Sequence, residues 1–234
     1  MQRYSVITEK NPREILLLRG SGCKWRRCTF CDYHLDFCKD EEANFLLNKQ
    51  FIDKVSGIYG KLEVVNSGSF CDLDEKTLLA IEEKCVERSI KEIHFECHWM
   101  HRGEIYGLRS RFNARGIDVK VKIGVETFDF DFREKVLVKG IDERDAQKIS
   151  EPFDEVCLLF GIKGQTVESM RRDIECGLEY FERVCVNIMC ENSSRISPDN
   201  EVIELFKREV MPYYIDSPRV DILIENTDFG VGGE

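Results

Sequence analysis

The hydrophobic pattern of the chain alternates between short apolar runs and longer segments in which apolar residues recur at helical spacing. A continuous apolar run of five or six residues is typical of a strand that is buried on both faces of a sheet. The runs predict strands at Glu14–Arg19, Leu62–Asn66, Glu92–Glu96, Val119–Val125, Glu155–Phe160, Val184–Met189 and Val220–Ile224. The amphipathic segments predict helices at about Glu41–Ile58, Asp74–Arg88, Glu104–Ala114, Asp142–Ser150, Thr166–Phe181 and Pro198–Arg208.

This alternation predicts an α/β fold in which parallel strands are joined by right-handed crossovers. Six strand–helix units and a last strand are too few for a closed barrel of eight units. We therefore expect a single domain, residues 1–234, that forms a partial (βα)6 barrel of the TIM type. A flavodoxin-like doubly wound sheet is the alternative. In both architectures, functional residues collect at the carboxyl ends of the strands.

Charge and hydropathy narrow the classes of function. The chain carries 44 acidic and 34 basic residues, a net charge of −10, and no long basic run. Because nucleic-acid phosphates are neutralised by lysine and arginine, this balance disfavours stable nucleic-acid binding and permits a small metabolite or nucleotide. The first ten residues lack the apolar core of a signal peptide, and no run approaches bilayer-spanning length. We expect a cytoplasmic protein that does not bind membranes.

The eleven cysteines fall into two groups. Most lie in apolar or helical settings and are expected to be small buried residues, among them Cys85, Cys157, Cys176 and Cys185. A disulfide framework is not expected in a cytoplasmic chain. A second group, Cys23, Cys28 and Cys31, occupies nine residues directly after the first predicted strand and the sequence Gly20-Ser21-Gly22.

Three thiolates in such a loop can hold a [4Fe–4S] cluster and leave one iron open to a small molecule. The glycines let the backbone approach the cluster closely. Two other readings of the spacing are a zinc site completed by His34 or Cys38 and a plant-type [2Fe–2S] ferredoxin. The ferredoxin fold is small and lacks repeated strand–helix units, which disfavours it here.

Polar side chains follow several other predicted strands. They include Glu96 and His98, Glu126, Lys163, the segment Asn187–Arg195, and Asp221 on the last strand. The segment before the last predicted helix suits a phosphate or sugar hydroxyls, because helix amides and arginine favour anions. The plainer alternatives are exposed glutamates at helix starts, a solvated loop lysine, a capped helix and surface histidines.

The cysteine loop resembles that of the radical S-adenosylmethionine superfamily, whose common pattern is Cys-x3-Cys-x-aromatic-Cys. Here the first gap has four residues, and Phe30 fills the aromatic position. Three later segments resemble further superfamily motifs. Asn66–Phe70 resembles the glycine-rich motif that accepts the methionine ammonium, and Ile123–Thr127 resembles a segment whose acid lies near the cofactor. Phe160–Thr166 resembles an element that packs on the adenine.

The resemblance implies a [4Fe–4S] cluster on Cys23, Cys28 and Cys31 that cleaves S-adenosylmethionine to a 5′-deoxyadenosyl radical, with flavodoxin or ferredoxin as the reductant. It implies catalytic roles for Glu96 and Lys163. The cofactor-binding residues that it implies are Phe30, Gly68, Ser69, Phe70, Glu96, Glu126 and Ile162.

Within the superfamily, the segments Leu17–Cys23, Cys31–His34 and Gly68–Phe70 resemble small queuine-salvage lyases. This resemblance implies release of queuine from queuosine 5′-phosphate, with Ser193 and Arg195 at the phosphate. The substrate-binding residues expected are His98, Asn187, Glu191, Asn192, Ser193, Arg195 and Asp221. Two alternatives stay open: a radical maturase or deazapurine-biosynthetic enzyme similar to carboxy-deazaguanine synthase, and a noncatalytic zinc-binding module.

Overall fold

The computed structural model describes residues 1–233, which form two compact units. Of the described residues, the first unit comprises Met1–Arg26, Tyr33–Val121 and 229–233, and the second comprises Arg27–Asp32 and Lys122–Asp228. The cysteine loop therefore contributes to both units, with Cys23 in the first and Cys28 and Cys31 in the second.

The first unit is built on strands that neighbour each other in chain order. They are β1 (Tyr4–Ile7), β2 (Arg13–Leu18), β3 (Lys61–Asn66), β4 (Glu92–Glu96) and the first residues of β5 (Asp118–Glu126). Strands β2, β3 and β4 are parallel, whereas β1 pairs antiparallel with β2. The helices are α1 (Glu41–Ile52), α2 (Glu75–Glu87) and α3 (Ile105–Asn113).

Side-chain caps explain where two of these helices begin. The Asp40 carboxylate accepts a hydrogen bond from the Ala43 amide at the start of α1, and Asp74 does the same for Thr77 in α2. Helix α1 ends at Ile52, six residues before its predicted end. The chain turns at Gly57, whose φ of +75° is favourable for glycine and whose Cβ would lie 2.4 Å from the Arg88 carbonyl oxygen.

Strand β1 was not expected from the pattern, because its two apolar residues follow polar ones and form no continuous run. Backbone pairing with β2 stabilises these residues as a strand, with Tyr4 opposite Leu16 and Ile7 opposite Arg13. The side-chain hydroxyl of Tyr4 also donates to Glu14 at 2.7 Å. Tertiary pairing has therefore outweighed a weak local preference.

In the second unit, the remainder of β5 is followed by β6 (Glu155–Phe160), β7 (Arg183–Ile188) and β8 (Val220–Leu223), all parallel and adjacent in chain order. The helices are α4 (Ala146–Ser150), α5 (Val167–Tyr180), α6 (Asn200–Leu205) and α7 (Met211–Tyr214). Helix α4 begins four residues later than predicted, where Asp145 caps it. The helix predicted at Pro198–Arg208 is α6 followed by a π-helical turn, Phe206–Val210.

The core of each unit lies beneath the apolar strand runs that predicted it. In the second unit, Val156, Leu158, Val184 and Val186 are fully buried, and so is Ile174 of α5. This burial removes the strand side chains from water and is the main favourable term holding helices to sheets.

The cysteines outside the loop, which were expected to be buried, are buried only in part. Cys85 and Cys185 are buried, whereas Cys157 and Cys176 are half-buried, and no disulfide occurs in residues 1–233. Burial raises the pKa of Cys85 to about 12 and that of Cys176 to about 11, so both thiols stay protonated at neutral pH. None of the helices in the described residues has the length and apolar character needed to cross a bilayer.

Candidate functional site

The turn after β3 is fixed by its own side chains. The Asn66 side-chain amide donates to the Ser69 carbonyl oxygen at 2.9 Å, and the Ser69 amide donates to the Asp72 carboxylate at 2.8 Å. From the end of β4, the His98 amide donates to the Ser69 hydroxyl at 2.9 Å. We call Asn66–Asp72 the Asp72 turn. Its hydrogen bonds hold one backbone conformation in a segment that the sequence suggested would bind the cofactor.

Two glycines let the cysteine loop approach this turn. A Cβ on Gly68 would lie 2.9 Å from the Cα atom of Cys23 and 2.3 Å from an Asp72 carboxylate oxygen. A Cβ on Gly20 would lie 2.4 Å from the Asp72 carbonyl oxygen, which accepts the Ser21 amide at 2.8 Å. Only glycine leaves room for these contacts, so the backbone of Cys23 is packed directly on the turn.

The Asp72 carboxyl group is buried, with 3% of the residue exposed. Its Oδ1 atom has no hydrogen-bond partner in the described part of the chain. Burial raises the pKa of Asp72 above its ordinary value, and the nearby charges of His101, Lys24 and Arg26 oppose that rise. A buried carboxylate oxygen without a donor is costly, and a cationic ligand would offset that cost.

Sequence analysis missed Asp72. The spacing of Ser69 and Asp72, a serine followed three residues later by an acid, is a signal for a side-chain-capped turn and could have indicated it.

Other predicted residues of the first unit take varied positions. Phe70 is buried in the core, where its ring packs edge-on against Phe95 at 6.3 Å between centroids. His98 is 9% exposed and stacks on Trp25, and its Nδ1 accepts the Met100 amide. The alternative of a surface histidine is therefore wrong for His98. Glu96 is half-buried at the carboxyl end of β4.

In the second unit, hydrogen bonds to Thr29 hold the segment from Cys28 to Cys31 in place. Thr29 donates its amide to the Leu137 carbonyl at 3.1 Å and its hydroxyl to the Val136 carbonyl at 2.7 Å. The carbonyl oxygen of Thr29 accepts the amides of Arg195 and Ile196. These bonds fix the backbone between the two cysteines.

The segment after β7 holds the same loop. The Asn192 side chain donates to the Phe30 carbonyl oxygen at 2.9 Å, and the Ser193 amide and hydroxyl both donate to Asp32. The structure thus gives Asn192 and Ser193 a positioning role, which the sequence did not indicate. Glu191 and Arg195 have exposed side chains, and Asn187 is half-buried. Their predicted roles in substrate binding stay predictions.

Glu126 lies at an irregularity in strand β5. The register of β5 against β6 shifts between Gly124 and Glu126, and Glu126 has a φ of +69°. The residue is 6% exposed, and its Oε1 accepts a hydrogen bond from the Lys139 ammonium at 2.7 Å. We call Glu126 and Lys139 the Lys139 pair. Sequence analysis missed Lys139, for which no local motif gives a signal.

Ile162 and Lys163, the two predicted residues of the segment after β6, differ in burial. Ile162 is 1% exposed and packs in an apolar cluster with Leu137, Leu159 and Met189, against which Phe30 also packs. The Gln165 side chain accepts the Ile162 amide and donates to the Leu159 carbonyl, which fixes this turn. Lys163 is exposed. The predicted cofactor contacts Phe30 and Ile162 thus share one cluster.

Asp221 has a structural partner. Both of its carboxylate oxygens accept hydrogen bonds from the Arg183 guanidinium, at 2.7 to 2.9 Å, and the two side chains are 8% and 13% exposed. Arg183 is the first residue of β7 and Asp221 is the second residue of β8, so both lie at the amino ends of their strands. Functional residues are expected at the opposite, carboxyl ends, so this position gives no support to a role in substrate binding.

The predicted cluster ligands Cys23, Cys28 and Cys31 are all half-buried. No group of three or more histidine, cysteine or acidic side chains in residues 1–233 is arranged around a single metal position. The loop does fit a cluster in two respects: glycine contacts hold the backbone at Cys23, and hydrogen bonds to Thr29 hold it between Cys28 and Cys31. The ligand assignment stays a prediction.

Comparison with known proteins gives a strong structural relative. A queuine lyase from Clostridium spiroforme, solved bound to SAM and queuine, shares 41% sequence identity and a TM-score of 0.94, with full coverage of both chains. Streptococcus suis SuiB, solved bound to S-adenosylmethionine, shares 14% identity and a TM-score of 0.55 over 90% of this chain and 47% of its own. No protein-family model matches the chain. A search of curated proteins finds no match either.

The match to the Clostridium structure over the whole chain confirms the predicted fold class, a partial (βα)6 barrel of the TIM type. The SuiB likeness, at low identity, supports the fold alone.

Proposed function

Because the chain belongs to the queuine lyase family of the radical S-adenosylmethionine superfamily, we propose that it releases queuine from queuosine 5′-phosphate. Cys23, Cys28 and Cys31 would hold a [4Fe–4S] cluster, and S-adenosylmethionine would be the cofactor. When bound, the cluster and cofactor supply a 5′-deoxyadenosyl radical that abstracts a hydrogen atom from the substrate.

The observation that carries this proposal is the unpaired Oδ1 of Asp72 beside the Cys23 backbone. S-adenosylmethionine bears two cationic groups, an ammonium and a sulfonium. The ammonium could donate a charge-assisted hydrogen bond to the buried Asp72 Oδ1, and such bonds are about twice as strong as neutral ones. The sulfonium has no hydrogen to donate and would interact by charge alone. Gly68 keeps the space between Asp72 and Cys23 narrow, so the ligand's cationic end would lie next to the cysteine loop.

The remaining residues would bind and enclose the ligands. The half-buried Phe30 ring, which packs against the cluster that contains the buried Ile162, would offer an apolar surface suited to an adenine ring, and excluding water there would protect a reactive radical. Around the substrate we propose Glu96, His98, Asn187, Glu191 and Arg195, with Lys163 and Glu96 nearest the chemistry. A flavodoxin or ferredoxin would supply the electron.

The test is an anaerobic reconstitution with iron and sulfide, followed by dithionite, S-adenosylmethionine and queuosine 5′-phosphate. The proposal predicts 5′-deoxyadenosine and free queuine as products, detected by mass spectrometry. Cleavage of the cofactor without base release would overturn the lyase assignment. Retention of iron with no cofactor cleavage would overturn the radical mechanism.

Two serine variants in the same loop form a matched pair. Cys31→Ser removes a proposed ligand and is expected to abolish both iron retention and cofactor cleavage. Cys38→Ser changes a half-buried cysteine outside the proposed set and is expected to leave iron content unchanged. Zinc in the purified protein, lost in both variants, would instead support the four-ligand zinc reading.

A further inference from the structure

The ammonium of Lys139 lies beside the segment that carries Cys28 and Cys31. Its side chain is 12% exposed, and its Nζ lies 5.6 Å from the centroid of the Phe30 ring, the aromatic residue between the two cysteines. A cation over an aromatic face in a partly desolvated site is attracted to the ring. This contact holds the charge of Lys139 next to the cysteine segment.

The backbone around Lys139 is shaped to present this side chain. Val138 has a φ of +53° and Gly140 a φ of +76°, so left-handed residues flank Lys139 on both sides. A β-branched residue with positive φ is a steric outlier that persists only where the surroundings enforce it. Those surroundings include the bonds from Thr29 to the Val136 and Leu137 carbonyls, immediately before this bend.

The partner of Lys139 is also positioned by an unusual backbone. The positive φ of Glu126 and the register shift in β5 direct its carboxylate to Lys139. Gly124 makes room for the contact, since a Cβ there would lie 2.5 Å from Glu126 Oε1 and 2.9 Å from Lys139 Nζ. The pair is therefore built into the end of the strand rather than formed by two mobile surface side chains.

Electrostatics keep Lys139 charged. Burial alone would lower the pKa of Lys139, but the charges of Glu126, Cys28 and Cys31 oppose burial and raise it above the ordinary value. A cation held at this position favours additional negative charge in its vicinity.

We propose that Lys139 is a positioning residue that sets the reduction potential of the cluster held by Cys28 and Cys31, with Glu126 moderating its charge. This inference rests on the proposed function, since it requires the cluster. Reduction adds one electron, delivered by the external one-electron donor, and so increases the negative charge of the site. A nearby cation favours the reduced state, because cluster potentials depend on net charge and polar surroundings.

The experiment measures the midpoint potential of the reconstituted cluster by anaerobic redox titration, followed by electron paramagnetic resonance. Lys139→Met should shift the potential to more negative values. We expect about a tenfold fall in the reduction equilibrium constant, or about 59 mV for one electron. Lys139→Arg should keep the wild-type potential, because it conserves the charge.

Glu126→Gln separates an electrostatic role of Lys139 from a purely structural one, because only the electrostatic role predicts the sign of the shift in potential. Removing the negative charge of the carboxylate increases the net positive charge of the pair, so this variant should shift the potential to more positive values, opposite to Lys139→Met. The double variant, with neither charge, should fall between the two. If Lys139→Met fails to retain a cluster, the sign of the Glu126→Gln shift still decides the matter.

Potentials that are unchanged in Glu126→Gln, or that fall in both single variants, would overturn the inference. Failure of the proposed function is distinguishable from these results. A wild-type protein that retains no [4Fe–4S] cluster would overturn the cluster assignment, and loss of queuine release alone would overturn the lyase assignment without changing the measured potentials.

Discussion

The two units each bury a carboxylate over a glycine, but they treat its charge in opposite ways. In the first unit, Asp72 lies against Gly68, and one of its oxygens has no hydrogen-bond donor in the described residues. In the second, Glu126 lies against Gly124 and is paired with Lys139 at 2.7 Å. The glycines are equivalent in function, since each leaves out a Cβ that would collide with the acid.

The difference separates a ligand-binding carboxylate from one that already has its counter-ion. Burying an unpaired acid is costly, and proteins retain such groups where a ligand completes them. An acid buried together with a lysine already has a counter-ion, which offsets the cost of burying its charge. We therefore interpret the Asp72 turn as the place for a cationic cofactor and the Lys139 pair as a fixed charge beside two cysteines.

The largest effects on cofactor cleavage are expected when each of the two glycines is replaced by alanine. In Gly68→Ala, the new Cβ meets the Cys23 backbone, which cannot rotate away. We expect cofactor cleavage to fall by about 100-fold, because displacing a reacting centre by an ångström has effects of this size. In Gly124→Ala, the Cβ meets only the ends of two flexible side chains, and the loss should be about tenfold or less. Equal losses of 5′-deoxyadenosine production in the two variants would contradict this reading.

A smaller effect is expected where the loop has several supports. Asn192→Ala removes its hydrogen bond to the Phe30 carbonyl oxygen and a local bond from the Ser194 amide, so the cysteine segment itself loses one bond and keeps those made by Thr29. One hydrogen bond contributes about 1 kcal/mol, so cofactor cleavage should fall about threefold to fivefold. Ser194→Ala is the matched control, because the Ser194 hydroxyl makes a local bond to the Ile196 carbonyl. A rate for Asn192→Ala equal to that of the control would remove Asn192 from the support of the loop.

The smallest effect on activity is expected at the buried ion pair of β7 and β8. Asp221→Asn removes the negative charge that Asp221 pairs with Arg183 and should lower the free energy of unfolding by about 3 kcal/mol. The apparent KM for queuosine 5′-phosphate should stay within twofold of wild type at a temperature where the variant is folded. A KM raised tenfold or more would restore the substrate-binding role suggested by the sequence.

The fold was largely accessible from the hydrophobic pattern. Each predicted strand appears within a few residues of its expected bounds, because strands buried on both faces must be continuously apolar. Strand β1 was missed, since its residues become a strand through pairing with β2. The end of α1 was misplaced because the turn at Gly57 is enforced by contact with Arg88, a residue distant in sequence.

The site was less accessible, because its important contacts join residues far apart in the chain. The sequence identified Glu126 by its strand-end position but gave no indication of Lys139, which reaches it through a bend of two left-handed residues. It identified Asn192 and Ser193 as polar residues before a helix, whereas their bonds go to Phe30 and Asp32. Spacing indicates which polar residues follow the strands, but it does not predict which side chain pairs with which.

The most direct test of the central claim compares the affinity for S-adenosylmethionine of two matched acid-to-amide variants, measured by calorimetry on the reconstituted protein. Asp72→Asn should weaken binding about tenfold, because it removes a charged partner of the ligand. Glu126→Gln should bind within about twofold of wild type, as should the control Asp74→Asn, in which asparagine still caps α2. Equal weakening in Asp72→Asn and Glu126→Gln, or none in Asp72→Asn, would contradict the account.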